Sequence, residues 1–119
     1  MKNILLVDDD QTMRSLLKTL LELEGYQVAS VGEASEDDIL KKISDQMPDL
    51  LLLDMYIRKV SGISILQKVR KDSALQNIKV IMSSGMDVKE QCMKAGSNGF
   101  LLKPYMPDDL LGLIHSILP

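Results

Sequence analysis

The sequence predicts an α/β fold: one five-stranded parallel sheet, doubly wound, with a layer of helices on each face. Two observations support this prediction. Strand-like and helix-like segments alternate along all 119 residues, and this order requires a parallel sheet with right-handed crossovers. The strand-like segments are also short and almost wholly apolar, as expected for strands that are buried on both faces.

The first half of the chain contains two predicted strands and two predicted helices. Ile4–Val7 is the first strand. The leucines that follow the nearby acidic residues recur at helical spacing, and Gly25 ends this first helix. Tyr26–Val31 is the second strand. Ser35 resembles an N-cap, with Asp38 as its partner in a capping box, and predicts the start of the second helix.

The second half repeats the same alternation. Gly62 precedes a helix with apolar residues at helical spacing, Gly96 closes a short helix, and Asp108 is predicted to open the last helix. The third, fourth and fifth strands are Leu50–Leu53, Lys79–Ser83 and Phe100–Leu102. The short helix, between the fourth and fifth strands, is Asp87–Ala95.

Length and composition predict a single globular domain that spans residues 1–119. Hydrophobic residues make up 45% of the chain, which is enough for a packed core. The net charge of −3, without a basic stripe, argues against nucleic acid or an anionic membrane as a direct partner. The single cysteine, Cys92, is typical of a reducing compartment. No segment resembles a signal peptide or reaches membrane-spanning length, so a cytoplasmic location is expected.

Charged residues directly follow three of the predicted strands. Asp8, Asp9 and Asp10 follow the first strand, Asp54 follows the third, and Lys103 follows the fifth. The carboxyl ends of parallel strands meet at the edge where α/β sheets bind ligands. Clustered carboxylates repel one another unless a cation lies among them, and oxygen ligands suit Mg²⁺. Since a lysine beside them suits a phosphoryl group, the pattern indicates Mg²⁺-dependent phosphoryl chemistry.

Six short motifs occur in one order along the chain: Ile4–Asp10, Pro48–Asp54, Gly62, Ser83–Gly85, Ala95-Gly96 and Lys103-Pro104-Tyr105. In this order and at this spacing they resemble the bacterial response-regulator receiver domain, a chemotaxis-type, flavodoxin-like family. The resemblance implies a sheet of order 2-1-3-4-5. It also implies a two-component protein that is phosphorylated by a sensor histidine kinase or a phosphotransfer protein and then binds a downstream protein target.

The resemblance further implies roles for individual residues. Asp54 matches the phospho-acceptor, and Lys103 matches the cation that contacts this carboxylate and later the phosphoryl oxygens. Asp9 matches a direct ligand of Mg²⁺, and Asp8 matches a ligand that acts through water. The backbone carbonyl of Tyr56 would add a further oxygen, and Asp54 itself also belongs to the expected metal site.

Two further residues match the conformational switch of the family. The Ser84 hydroxyl would hydrogen-bond the phosphoryl group, and Phe100 would turn inward with it, so that a local change of charge alters the protein-binding surface. The resemblance also implies a cis peptide bond between Lys103 and Pro104. Because such a domain modifies only itself, it is not expected to be an enzyme in the ordinary sense.

Two alternative functions remain open. The segment Asp8–Thr12 also fits the D-x-D-x-T motif of haloacid-dehalogenase-like phosphatases, in which Asp8 would be the nucleophile and Asp10 the general acid. That hypothesis leaves Asp54 without a role, and the chain is short for such a fold. The other alternative is a phosphorylation-independent adaptor of the same fold, which would be free to lose the site residues that this chain retains.

The sequence departs from the family pattern in three places, one of which is Ser61, where the family often has an acidic residue just before the glycine. Arg58 stands where the family usually has proline, so the segment Met55–Ser61 is expected to be looser, with a movable cation near the site. The spacing from Ser84 to Gly96 is about one helical turn shorter than usual. The fourth helix is therefore expected to be shortened.

Overall fold

The computed structural model describes residues 1–119 and contains seven strands and five helices. In chain order these elements are β1 (Asn3–Val7), α1 (Gln11–Leu23), β2 (Gln27–Val31), α2 (Glu36–Gln46), β3 (Leu50–Asp54), β4 (Tyr56–Ile57), β5 (Val60–Ser61), α3 (Gly62–Lys71), β6 (Lys79–Ser84), α4 (Lys89–Lys94), β7 (Gly99–Leu102) and α5 (Pro107–Ile117).

Five of the strands form one parallel sheet in the order β2-β1-β3-β6-β7. Counted without the short β4–β5 hairpin, this order is the predicted 2-1-3-4-5. The strand order reverses between β1 and β3, which are neighbours in the sheet. In open α/β sheets this switch point, at the carboxyl ends of the strands, is where the ligand crevice lies.

Alternate residues of each central strand enter two separate cores. On β1, Leu5 and Val7 pack against α2, α3 and α4, whereas Ile4 and Leu6 pack against α1 and α5. The other central strands follow the same rule, since successive side chains of a strand point to opposite faces. The predicted three-layer αβα arrangement is therefore confirmed, with helices on both faces of the sheet.

The starts of α1 and α2 agree with the sequence prediction, whereas α3 begins at Gly62 itself and α4 begins at Lys89 rather than at Asp87. Asp10 caps α1 by accepting a hydrogen bond from the Met13 N–H, and Ser35 caps α2 in the same way. The predicted opening of the last helix at Asp108 is wrong. The helix begins at Pro107, a residue favoured at the first helical position because it needs no N–H partner there. The capping carboxylate is that of Asp109, which accepts from the Met106 N–H.

The segment between β3 and α3 is ordered, in contrast to the looser loop expected from the loss of proline. Tyr56 pairs with Ser61, and Ile57 with Val60, in a two-residue antiparallel hairpin that has Arg58 at its tip. The fully buried Ile57 side chain anchors this hairpin in the larger core.

Helix α4 is short, as predicted. It contains six residues, whereas the other helices contain ten to thirteen. Cys92 is its one buried side chain, and no side chain caps its amino end at Val88. No helix of the protein is both long and apolar enough to cross a membrane.

Gly62 lies where the backbone of α3 approaches the end of β3. Its N–H donates to the Met55 carbonyl at 2.7 Å. A Cβ at this position would clash with the carbonyl oxygen of Asp54 and would lie 3.0 Å from the Met55 Cα. Both neighbours are backbone atoms, which cannot move away as a flexible side chain could.

We therefore expect Gly62→Ala to lower the free energy of unfolding by about 1–3 kcal/mol, the usual cost of overpacking. Gly112→Ala is the matched control, because a Cβ at that helical position meets nothing within 4 Å. The control should instead stabilise the protein by about 0.5–1 kcal/mol. Urea unfolding of both variants measures the difference, and equal stability of the two would contradict the close-approach argument.

Candidate functional site

Three charged side chains meet at the carboxyl edge of the sheet because their strands are in register. Asp8 and Asp54 continue the alternation of Leu6 and Leu52, which face α1 and α5, and Lys103 continues that of Leu101. Since β1 and β3 are adjacent in the sheet, the two carboxylates reach the same edge on the same face.

The ammonium of Lys103 lies between the two buried carboxylates. Its Nζ donates to Asp8 Oδ2 at 3.1 Å and to Asp54 Oδ2 at 3.3 Å. Asp8 is 6% exposed and Asp54 is 9% exposed. No buried side-chain nitrogen or oxygen of the protein lacks a hydrogen-bond partner. The peptide bond between Lys103 and Pro104 is cis, as predicted.

Asp9 completes an acidic cluster with these two carboxylates. One oxygen from each of Asp8, Asp9 and Asp54 can be chosen so that all three lie within 4.8 Å of one another. Three carboxylates and one ammonium leave this pocket with two uncompensated negative charges. The donor set consists only of oxygens, which is the set that a hard divalent cation prefers.

The pKa shifts follow from this imbalance of charge. Burial raises the pKa of Asp54, and the negative charge of Asp8 adds to the rise, while Lys103 opposes it. Burial alone would lower the pKa of Lys103, but Asp54 and Asp8 together raise it above its usual value. The lysine is thus firmly protonated, whereas the Asp54 carboxylate is only partly neutralised by an ammonium that it shares with Asp8.

Backbone and side-chain donors fix the first two acids. The Asp10 N–H donates to Asp8 Oδ1 at 2.9 Å, and Nη1 of Arg14 donates to the Asp8 carbonyl at 2.6 Å. The guanidinium of Arg14 lies over Gly32, where a Cβ would meet it at 2.6 Å. Asp9 Oδ2 accepts from the Arg58 N–H at 3.2 Å. The Asp8 side chain therefore has a partner for each oxygen.

Ser84 lies at the end of β6, beside the strand that leads to Lys103. It is buried, its carbonyl accepts from the Lys103 N–H at 2.8 Å, and its Oγ accepts from the Met86 N–H at 3.0 Å. Because a hydroxyl can donate as well as accept, its proton remains available to a ligand at this edge. The backbone hydrogen bond couples the positions of Ser84 and Lys103.

The aromatic residues near this edge of the sheet differ in how deeply they are buried. Phe100 is partly buried on β7 and packs against the larger core rather than against the acids. The Tyr56 side chain is exposed on the hairpin, and metal binding by its carbonyl stays a prediction. Tyr105 was not singled out for a role from the sequence. Burial raises its pKa to about 12, so its phenol stays neutral beside the charged residues.

The comparison with protein families agrees with this geometry. A family model described as "Response regulator receiver domain" matches residues 4–115. "Chemotaxis protein CheY" of Thermotoga maritima is 29% identical over 120 residues, covering 98% of this chain and 97% of that protein. The phosphate regulon transcriptional regulatory protein PhoB of Pseudomonas aeruginosa is 29% identical, covering 98% of this chain and 52% of PhoB.

The chain spans about half the length of several curated relatives that it matches. One of these is the probable transcriptional regulator ycf27 of Cyanidium caldarium, which is 33% identical and of which 46% is covered. The CheY protein of Thermotoga maritima, in contrast, is matched over almost its whole length. The similarity therefore lies in the receiver portion that these proteins share.

Solved structures give the same result. A response regulator from Chloroflexus aurantiacus superposes with a TM-score of 0.89 at 29% identity, covering 98% of this chain and 97% of that one. The response regulator protein TrrA of Thermotoga maritima, solved in complex with Mg²⁺ and beryllium fluoride, has a TM-score of 0.87 at 27% identity, covering 99% and 100%.

Asp54→Asn should stabilise the metal-free protein at pH 7, by a free energy on the order of 1 kcal/mol. The reason is that the raised pKa of Asp54 makes its ionised form a net cost to the folded state. This cost is absent below the unfolded-state pKa of about 4 and complete above the folded-state pKa. The advantage of the variant should therefore disappear as the pH falls below about 4.

Thermal melts in the presence of a chelator, recorded as a function of pH, measure this difference. Asp45→Asn is the control, because Asp45 is an exposed residue of α2 outside the cluster. A parent protein that is more stable than Asp54→Asn at pH 7 without metal would show that Lys103 fully compensates the carboxylate.

Proposed function

The chain belongs to the response regulator receiver domain family, and on that premise we propose that it accepts a phosphoryl group on Asp54 from a phosphohistidine. The donor would be a sensor histidine kinase or a phosphotransfer protein of a two-component system. The observation that carries the proposal is the contact of Lys103 with both Asp8 and Asp54, within reach of a third carboxylate. The Asp54 carboxylate thus lies next to the ammonium of Lys103, in a pocket whose remaining negative charge favours the binding of a second cation.

The transfer is a simple displacement at phosphorus. An oxygen of the Asp54 carboxylate forms a bond to phosphorus, and the bond between phosphorus and the histidine nitrogen breaks. The electron pair of that bond returns to the imidazole, which takes a proton from the solvent. Lys103 stays at the site, where its ammonium can contact the oxygens of the transferred group. The domain thereby catalyses only the phosphorylation of its own Asp54 and converts no other molecule in repeated cycles.

Mg²⁺ fits the donor set of this pocket. Asp8, Asp9 and Asp54 would hold the ion, and the carbonyl of Tyr56 would add an oxygen from the hairpin. When bound, Mg²⁺ supplies the positive charge that lets an anionic carboxylate approach an anionic phosphoryl group. The two uncompensated negative charges of the pocket match the charge of one such ion.

The output of phosphorylation would be a changed protein-binding surface. The Ser84 hydroxyl can donate to a new phosphoryl oxygen, and its backbone is already tied to Lys103. Phe100 would follow by moving deeper into the core that it now borders. The target of this surface would be another protein, either separate or a further domain of the same polypeptide.

The structure disfavours the phosphatase alternative. Both oxygens of Asp8 are already engaged, one with Lys103 and the other with the Asp10 N–H. The carboxylate of Asp10 caps α1, a role that explains this residue without phosphatase chemistry. The adaptor alternative is disfavoured by the buried charges, because a module without phosphoryl chemistry has no need to bury Asp54 beside Asp8.

Incubation with acetyl phosphate and Mg²⁺ should add one phosphoryl group, which peptide mapping should locate on Asp54. Asp54→Asn should abolish the mass increase, because an amide oxygen is too weak a nucleophile to attack phosphorus. Asp45→Asn is the control and should be labelled like the parent protein. Modification at Asp8 would instead favour the phosphatase alternative and contradict the proposal.

Mg²⁺ should raise the melting temperature, because it relieves the repulsion among the three carboxylates. Ligand linkage gives about 2.7 kcal/mol at a metal concentration a hundredfold above the dissociation constant. Asp9→Asn should lose most of this stabilisation while Asp45→Asn keeps it. A melting temperature of the parent protein that does not change over millimolar Mg²⁺ would count against the metal site.

A further inference from the structure

Arg58 combines a strained backbone with one backbone contact to the acidic pocket and one side-chain contact to a different loop. It is the first of the two residues that connect β4 and β5, and its φ is +56°. This left-handed conformation is strained for a residue other than glycine. In this strained conformation the N–H of the same residue donates to Asp9. The hydrogen bond positions one carboxylate of the predicted metal site.

The side chain of Arg58 extends from this position to a different loop. Its Nε lies 3.5 Å from Oε2 of Glu33, which is located between β2 and α2. The two side chains are 62% and 68% exposed. An ion pair of this exposure contributes little to stability, so a stronger anion close to Arg58 can replace Glu33.

Phosphorylation creates such an anion. With Mg²⁺ bound, the three carboxylates and Lys103 are electrically balanced. A phosphoryl group carries about two negative charges and replaces a carboxylate that carries one. The phosphorylated pocket therefore has one excess negative charge. Lys103 does not compensate this charge, because its ammonium is already counted against the carboxylates. The guanidinium of Arg58 is a cation whose backbone already contacts this pocket.

We propose that Arg58 is a second phosphoryl-binding cation, held away from the pocket by Glu33 until Asp54 is phosphorylated. The inference rests on the proposed function. A guanidinium suits this role because its planar fork of donors matches phosphate oxygens. Glu33 then acts as a competitor for Arg58, and the balance between Glu33 and the phosphoryl group sets how strongly the phosphorylated state is favoured.

The backbone geometry allows the side chain to be tested separately from the loop. Proline, with its φ near −65° and no N–H, cannot adopt the conformation of residue 58 or donate to Asp9. Glycine can do both. Arg58→Gly therefore keeps the conformation of the hairpin and the hydrogen bond to Asp9 while it removes the side chain that carries the guanidinium.

The experiment measures the affinity of the whole chain for beryllium fluoride, a phosphoryl mimic, by calorimetry at saturating Mg²⁺. Arg58→Gly should weaken the binding by about fivefold, the factor that corresponds to 1 kcal/mol, and Arg58→Lys should weaken it less. Lys59→Gln is the matched control, because it removes the adjacent cation of the same hairpin tip and should leave the affinity unchanged. The rise in melting temperature that Mg²⁺ produces should be the same in Arg58→Gly and in the parent protein.

Glu33→Gln completes a double-mutant cycle. It should strengthen beryllium fluoride binding when Arg58 is present and have no effect in the Arg58→Gly background. Equal affinities of the parent and Arg58→Gly, or an equal loss in Lys59→Gln, would overturn the inference alone. An absence of binding by the parent protein would overturn the proposed function and this inference with it.

Discussion

The contact of Lys103 with Asp8 and Asp54 is the interaction on which the site depends. Two carboxylates that are this deeply buried would repel each other and lose their hydration without a shared cation. The parallel sheet makes the contact possible, because it brings the ends of β1, β3 and β7 to one edge. The compensation remains incomplete, and the pKa of Asp54 stays raised. In the proposed function, this residual negative charge would attract a divalent cation, and that cation would in turn let the Asp54 carboxylate approach an anionic phosphoryl donor.

Most of the fold and the central acids could be predicted from the sequence because they depend on local patterns. Short apolar runs locate the strands, and each run that ends in a charge locates the edge of the sheet. The Arg58 side chain could be predicted as a cation near the site, but the backbone contacts made by Arg14 and by the Arg58 N–H could not. Arg14 contacts the carbonyl of Asp8, and the Arg58 N–H reaches an acid 49 positions earlier in the chain. Such backbone contacts leave no signal in residue type or spacing.

The β4–β5 hairpin contains Arg58 at the position where the family usually has proline, and its structure differs from the loose loop that this replacement predicts. Loss of proline was expected to loosen the segment, but the fully buried Ile57 and two antiparallel pairs hold it in place. Arg58 tolerates a positive φ there, whereas proline could not. The departure from the family pattern is thus coupled to a different local structure, which a comparison of residue types alone does not reveal.

The two edges of the sheet differ in how firmly they hold α4. At the amino edge, the guanidinium of Arg70 donates to the carbonyls of Gly96 and Ile78 and to Asn98 Oδ1, which also accepts the Val80 N–H. The end of α4 is therefore fixed to β6 and β7. At the carboxyl edge, Val88 makes no side-chain cap, the only side-chain hydrogen bond to the backbone of the first turn is the long, exposed one from the Lys89 N–H to Asp87 Oδ1, and α4 has no buried residue before Cys92. A displacement of the Ser84 backbone would reach this loosely held end of α4 first, because the other end is fixed by Arg70.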